Sequence, residues 1–283
     1  AFLDQPKVGG WLTNPQVHYM GAHLEGDLNR FAWETLFKKV QLIDRSGNGS
    51  AWLVAAQGAK DGVELSLSDF QDYGISTLNN VIANLRRSKN LYHIREWEGA
   101  LEGEVALICG GGPSIKEEIE ALGEIAKGAY VFAGGRALEV VKALDIEADF
   151  GGVIDPGFTH PDFGEWTRDL KGLFYQDRAA AEMVEMSSAT PIWSGVGDGY
   201  PLQRWLYKEM GINLPFEGGW NVSNFLIGVA IYLGCKTIIL AGLDHCYQDG
   251  DKYAVEVVHR ENMPLVEKEN RRGERVWTKG DFL

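Results

Sequence analysis

Cysteine and long hydrophobic runs are both scarce in this sequence of 283 residues. The three cysteines, Cys109, Cys235 and Cys246, form no C-x-x-C pair and are too few for a disulfide framework. Cys109 and Cys235 lie in or beside apolar stretches, which predicts buried, reduced thiols. No signal peptide and no apolar run of about 18 residues is recognisable. We therefore expect a cytoplasmic protein that does not insert into a membrane.

Positive charge is also in short supply. The chain has 27 Lys and Arg residues against 40 Asp and Glu residues, and a formal net charge of −13. A nucleic-acid backbone would be repelled unless a local basic patch overrode this charge. The basic clusters "NLRRSK" and "NRRGER" are typical of solvated surfaces. The composition therefore predicts no nucleic-acid partner.

The first hundred residues are mixed in character and differ from the rest. Apolar residues at helical spacing, Leu78, Val81, Ile82 and Leu85, predict a helix capped by Ser76 or Thr77. We interpret residues 1–100 as an amino-terminal cap or subdomain and residues 101–283 as the main domain. The sequence lacks an initial Met and stops at "VWTKGDFL", a strand pattern that leads into another element. We therefore expect residues to be missing, above all at the carboxyl terminus.

From residue 105 onward, short apolar runs alternate with helical segments. The runs "VALIC", "AYVFAGG", "GGVI", "GLFYQ", "TPIW" and "KTIIL" lack polar alternation, as strands of a sheet covered on both faces do. This pattern predicts an α/β fold, a Rossmann-like, doubly wound and mostly parallel sheet. Ligands of such sheets bind at the carboxyl ends of the strands, so the loops there are the candidate sites.

The loop after "VALIC" contains Gly110, Gly111, Gly112, Pro113 and Ser114. It fits neither the P-loop formula nor G-x-G-x-x-G, which disfavours an NAD enzyme. Glycines can direct successive N–H groups at an anion, and Ser114 is placed to cap a helix beginning near Ile115. We expect phosphate or nucleotide binding here. The alternative is a tight strand-to-helix turn.

Three further loops carry candidate residues. Asp155, after "GGVI", could take a ribose hydroxyl, a metal ion or an ammonium group, or merely form an Asx turn with Pro156. Gly219, Asn221 and Ser223 precede an apolar helix, which predicts a capped helix N-terminus aimed at the crevice, or plain capping.

The last candidate pair, Asp244 and His245, follows "KTIIL". A general base or a nucleotide contact is expected at this position, and the alternative for His245 is a structural role. The sequence has no histidine or cysteine spacing typical of zinc and no G-x-S-x-G motif, so we predict no dedicated metal site and no hydrolase nucleophile.

Four stretches together resemble one known family and occur in its order: "EVALICGGGPSIKE", "RALEVVKALDIEADFGGVIDP", "GGWNVSNFLIGVAIYLGCKTIILAGLDHCY" and "VWTKGDF". The family includes the bacterial motility accessory factors and the archaeal 6-hydroxymethylpterin diphosphokinases. The resemblance covers roughly residues 100–283. It implies a Rossmann-like domain similar to that of bacterial sialyltransferases.

The resemblance also implies an activity. The motility factors transfer a nonulosonic (sialic-acid-like) sugar from a CMP donor to a hydroxyl, and the archaeal branch transfers pyrophosphate from ATP to a pterin alcohol with Mg²⁺. By this likeness the turn residues Gly110, Gly112, Pro113 and Ser114 would hold the nucleotide. Asp155 would line the crevice, with Asn221 and Ser223 at the helix facing the donor. Two departures are Trp220-Asn221, where the family often has Ser or Thr, and His245, where an apolar residue is common.

We therefore expect a nucleotide-dependent group transferase, a glycosyltransferase with a CMP-activated nonulosonic sugar donor. Its acceptor is a hydroxyl on a protein, a glycan or a small molecule, its base is His245 or Asp244, and it requires no cofactor. One alternative is a pyrophosphokinase that uses ATP and Mg²⁺ held by Asp155 and Asp244. Another is a nucleotide-binding module without catalysis.

Overall fold

The computed structural model describes residue 32 and residues 50–88, 92–195, 201–211, 221–244, 265–269 and 275–279. The chain divides into two compact units, residues 1–74 and 75–283. The division falls within a long helix, α1 (Ser50–Ser88). The predicted cap at Ser76 or Thr77 is wrong, because both residues lie inside α1 and Thr77 is buried there. Of the helices described, none combines the length and apolar character needed to cross a membrane.

The second unit is built on a seven-stranded sheet. Its strands are β1 (Tyr92–His93), β2 (Val105–Cys109), β3 (Tyr130–Gly134), β4 (Phe150–Val153), β5 (Gly172–Tyr175), β6 (Pro191–Trp193) and β7 (Thr237–Ala241). They lie in the order β1-β6-β5-β4-β3-β2-β7, and every neighbouring pair is parallel. The predicted Rossmann-like α/β class is confirmed.

Helices connect these strands, as a parallel sheet requires. They are α2 (Ile119–Ala126), α3 (Arg136–Ala143), α4 (Phe163–Trp166), α5 (Ala181–Met186), α6 (Pro201–Glu209) and α7 (Val222–Tyr232). A separate antiparallel hairpin consists of β8 (Leu265–Glu269) and β9 (Arg275–Lys279). The strand predicted from the closing "VW" pattern is present as β9, whereas β8 was not predicted.

Both faces of the sheet are buried from β2 to β6, which explains why these strands read as continuous apolar runs, whereas β7 at the edge is only partly buried. On one face Leu107 and Cys109 of β2 pack with residues of α2, α3 and α5. On the other face Ala106 and Ile108 pack with Phe225 and the rest of the apolar stripe of α7. Cys109 is buried as predicted, and that burial raises the pKa of its thiol to about 12.

The order of the strands determines which loops meet. From β2 to β6 the chain adds strands in one direction, and it then returns to place β7 on the other side of β2. The switch point therefore lies between β2 and β7, and the loops after these two strands are neighbours. Strand β1 pairs with β6, so residues before 100 contribute to the same sheet, which differs from the boundary predicted near residue 100.

Candidate functional site

The glycine turn after β2 continues the pairing of β2 with β7 beyond the ends of both strands. The amide of Gly110 donates to the carbonyl of Ala241 at 2.7 Å, and the amide of Gly112 donates to that of Gly242 at 2.9 Å. A Cβ atom on Gly110 would collide with the carbonyl oxygen of Gly242. Glycine is therefore needed here so that the two backbones can approach each other.

Ser114 and Asp244 fasten the same two loops together. The Ser114 amide donates to Oδ2 of Asp244 at 2.9 Å, and the Ser114 hydroxyl donates to Oδ1. The turn leads into a short 3-10 helix, Pro113–Lys116, whose first turn has no side-chain cap, and α2 begins only at Ile119. The prediction that Ser114 caps a helix near Ile115 is therefore wrong, because its hydroxyl is bonded to Asp244.

These bonds change the expected anion site. Three amides predicted to converge on a ligand, those of Gly110, Gly112 and Ser114, donate within the protein instead. The amide of Gly111 has no hydrogen-bond partner among the described residues. Since successive amides of an extended chain point to opposite sides, it faces away from β7 and toward β3. The turn therefore offers one amide to a ligand and not four.

The end of β3 differs: Gly135 is buried, yet it leaves room among the described residues in the direction of a side chain. Gly135 follows β3 with a φ of 52° and a ψ of −124°, a conformation that favours glycine, and a Cβ atom there would meet nothing within 4 Å. Its amide donates to the carbonyl of Gly152 at 2.9 Å. The side chain of Val222 packs closely on Gly134, one residue earlier, so that a Cβ atom on Gly134 would overlap with Val222. The N-terminus of α7 thus packs on the end of β3, beside a position that no described side chain fills.

Helix α7 begins as the sequence predicts. Asn221 is its N-cap, and its side chain accepts a hydrogen bond from the amide of Asn224 at 2.8 Å. The hydroxyl of Ser223 and the amides of Val222 and Ser223 have no partner within the described residues. First-turn amides and the helix dipole favour a negatively charged ligand. Gly219 lies outside the described residues.

Arg136 is a residue at the end of β3 that sequence reasoning missed. It follows Gly135 and begins α3, and its guanidinium carbon lies 5.6 Å from the centre of the Phe158 ring. Its Nη1 is 3.8 Å from Oε2 of Glu139, which is too far for a hydrogen bond. The signal in the sequence was an arginine directly after the "AGG" that ends a strand.

Asp155 lies on the loop after β4, next to the end of β3, and its side chain is exposed. Its carbonyl accepts from the amide of Ala180 at 3.0 Å. Asp244 lies on the loop after β7. In the sheet β7 is three strands away from β4, which carries the Asp155 loop, and this corresponds to about 14 Å at the usual strand spacing. One Mg²⁺ bound by both carboxylates would require a loop to fold across two strand ends. In the part of the chain that the structure describes, no group of three or more His, Cys, Asp or Glu residues could hold a metal ion.

Asp244 and His245 are the two residues predicted to act as the base. Both carboxylate oxygens of Asp244 accept hydrogen bonds from Ser114, so Asp244 positions the turn. His245 lies outside the described residues. The prediction that His245 removes a proton therefore stays a prediction.

The end of β5 is closed by polar side chains that the sequence did not reveal. Asp177 is fully buried and accepts a hydrogen bond from the hydroxyl of Tyr207 on α6. Burial raises the pKa of the Asp177 carboxyl to about 7, although the hydrogen bonds from Tyr207 and the backbone oppose this. Asn84 of α1 donates to the carbonyls of Asp177 and Ala179, both at 2.8 Å. These bonds hold residues 177–180 as a loop, so that α5 begins only at Ala181.

Comparisons with known proteins complete this description. A protein-family model described as 6-hydroxymethylpterin diphosphokinase MptE-like matches residues 79–250. The solved structure of a MAf glycosyltransferase from Magnetospirillum magneticum AMB-1 is similar at a TM-score of 0.47 and 15% sequence identity, over 82% of this chain and 36% of the other. The chain thus spans little more than a third of that structure's length. No curated protein matched the sequence.

Proposed function

Because this chain belongs to the 6-hydroxymethylpterin diphosphokinase MptE-like family, we propose that it is a nucleotide-dependent group transferase. Its donor is a CMP-activated nonulosonic sugar and its acceptor is a hydroxyl group. The observation that carries the proposal is the end of β3, where an added Cβ atom on Gly135 would meet no described atom within 4 Å, beside the N-terminus of α7. A single helix N-terminus and one free amide suit a single phosphate group such as that of CMP.

In this mechanism the donor phosphate lies over Gly135. The amides of Val222, Ser223 and Gly111 point toward it, and they stabilise the charge that grows as the bond between the sugar and the phosphate breaks. The CMP leaves with the electron pair of that bond. The acceptor oxygen forms the new bond to the sugar carbon, and His245 takes the acceptor proton.

Two carboxylates have different tasks in this proposal. Asp244 keeps the 110–114 turn against β7, so that the Gly111 amide is directed toward β3. Asp155, exposed on the neighbouring loop, orients a hydroxyl of the nucleotide ribose or of the acceptor.

The name of the family favours a second candidate, a pyrophosphokinase that moves pyrophosphate from ATP to a pterin alcohol. In that reaction Mg²⁺ neutralises charge on adjacent phosphates, and Asp155 is the carboxylate beside the end of β3 that could bind it. The same end of β3 would then hold the phosphates of ATP.

A binding panel tests both candidates. We expect CMP and CTP to raise the melting temperature with or without Mg²⁺, and CMP to be released from CMP-N-acetylneuraminic acid when an acceptor is supplied. Ser223→Ala should weaken CMP binding about fivefold through the lost hydroxyl, whereas the control Asn224→Ala, an exposed neighbour on α7, should not.

The other outcomes of the panel are equally specific. Stabilisation by ATP only in the presence of Mg²⁺ would replace the sugar transferase by the pyrophosphokinase. Binding of CMP without turnover of any CMP-sugar would favour a non-catalytic module. Failure of all four nucleotides, CMP, CTP, ATP and GTP, to bind would overturn the proposal.

A further inference from the structure

Arg136 has an unusual environment for an arginine. Its side chain is only 16% exposed, and its Nη1 atom is buried without a hydrogen-bond partner. None of its N–H groups makes a hydrogen bond to a described residue. A guanidinium carries five N–H donors in a planar fork, and removing them from water without partners costs free energy.

The neighbours of Arg136 compensate only part of this cost. The ring of Phe158 offers a cation–π contact, and Glu139, three residues along α3, offers a charge at 3.8 Å. Neither accepts a hydrogen bond from the guanidinium. Its planar edge, which binds two oxygens of one carboxylate or phosphate, is therefore unused.

Arg136 also lies beside the proposed ligand position. Arg136 follows Gly135, whose Cβ direction is open, and it packs against the loop that carries Asp155. Helix α7 covers the opposite face of the sheet and places its N-terminus on the same strand end. A ligand over Gly135 would thus have helix amides on one side and a guanidinium on the other.

We propose that Arg136 is an anion-binding residue that holds an oxyanion of the ligand at the end of β3. This rests on the ligand position given under the proposed function and adds the chemical class of the ligand, one with two anionic groups. The amides at the N-terminus of α7 hold the first group and Arg136 holds the second. In a CMP-nonulosonic sugar these are the phosphate and the sugar carboxylate.

The charge of the protein favours such a residue at an anion-binding site. With a formal net charge of −13, the chain repels a dianionic donor at long range. A fixed guanidinium in a half-enclosed site offsets this repulsion where the ligand binds, and its fork selects planar or tetrahedral oxyanions over neutral groups.

Titration calorimetry with three probes tests the role of Arg136. CMP carries a phosphate, N-acetylneuraminic acid carries a carboxylate and cytidine carries neither. We expect Arg136→Gln to weaken binding of N-acetylneuraminic acid at least about tenfold and to leave cytidine unchanged, whereas a loss on CMP instead would place the phosphate at Arg136. The probe that is affected identifies the group held by Arg136. The control Arg168→Gln removes an exposed arginine and should change each affinity by less than about twofold.

Arg136→Lys keeps the positive charge but lacks the planar set of N–H donors of the guanidinium. It therefore tests the role of this residue even if Arg136→Gln does not fold. We expect Arg136→Lys to bind the same probe about fivefold more weakly, because a lysine binds one oxygen as a point charge. If the folded variants bind both anionic probes as tightly as the unmodified protein, Arg136 has no such role. If the unmodified protein binds no nucleotide, the proposed function fails separately. Inorganic pyrophosphate then replaces CMP, and equal pyrophosphate binding with and without Arg136 would overturn the inference.

Discussion

Strands β2 and β3 are neighbours in the sheet, yet their carboxyl ends are finished in different ways. After β2, the amides of Gly110 and Gly112 donate to the loop after β7, and Ser114 binds Asp244. After β3, no described atom lies within 4 Å of the Cβ position of Gly135. Gly110 and Gly112 thus serve backbone contact, whereas Gly135 borders the space proposed for a ligand. A glycine run is therefore no measure of ligand binding until its hydrogen bonds are known.

The carboxyl end of β5 differs from those of both β2 and β3. It is closed as tightly as the end of β2, but by buried side chains. Asp177 binds Tyr207, and Asn80 and Asn84 of α1 donate to four carbonyls of the loops after β4 and β5. At the end of β3, by contrast, an added Cβ atom on Gly135 would meet no described atom within 4 Å, although Gly135 itself is buried.

The largest effect is expected from Asp177, because it is a buried side chain at the end of β5 that can ionise. The pKa of its carboxyl rises from an ordinary 3.8 to about 7 on folding, mainly because burial disfavours the carboxylate. The folded state therefore binds the proton more tightly. The stabilisation by this group is complete below about pH 4 and is lost as the pH rises to 7, on the order of 4 kcal/mol.

Urea unfolding at pH 4, 5.5 and 7 measures this effect. In Asp177→Asn the amide oxygen can still accept from Tyr207 but cannot ionise, so that part of the pH dependence should vanish. The control Asp169→Asn, at an exposed position, should keep the pH dependence of the unmodified protein. Parallel pH profiles for Asp177→Asn and the unmodified protein would refute the assignment.

The next largest effect distinguishes the end of β2 from the end of β3 by the free energy of unfolding of two glycine variants. Gly110→Ala should lower the free energy of unfolding by about 3 kcal/mol, because its methyl group meets the Gly242 carbonyl. Gly135→Ala should cost about 1–2 kcal/mol, from the strained φ of 52° alone. Its methyl group should also weaken binding of CMP. Chemical denaturation of the two variants gives both numbers, and equal losses would contradict the distinction between the two ends.

Much of the sheet could be predicted because local sequence determines it. The run "VALIC" gave β2 its bounds, Val105–Cys109, since all five residues are apolar and glycines follow at once. Asn221 was predicted as one of two candidate caps because a cap bonds within its own turn, and its side chain does accept from Asn224. In both cases the interaction that matters spans few residues.

The site was harder to predict because its hydrogen bonds join distant parts of the chain. Ser114 and Asp244 are separated by 130 residues, and Asn84 and Asp177 by 93. Whether an amide serves a ligand or a neighbouring strand depends on the register of β2 with β7, which no local pattern encodes. Arg136 directly follows the "AGG" that ends a strand, but this signal does not show that its guanidinium lacks hydrogen-bond partners among the described residues.

The smallest effect concerns how firmly the closed end is fastened. Asp244→Ala leaves the amide and the hydroxyl of Ser114 without their acceptor and should cost about 2 kcal/mol, whereas Ser114→Ala removes one bond and should cost about 1 kcal/mol. The double variant should cost no more than Asp244→Ala alone, because the Ser114 hydroxyl has nothing left to bind. A double-mutant cycle by urea unfolding measures this coupling. Additive losses would mean that the two residues stabilise the turn independently, and Asp244 would then be available again as the base of the reaction.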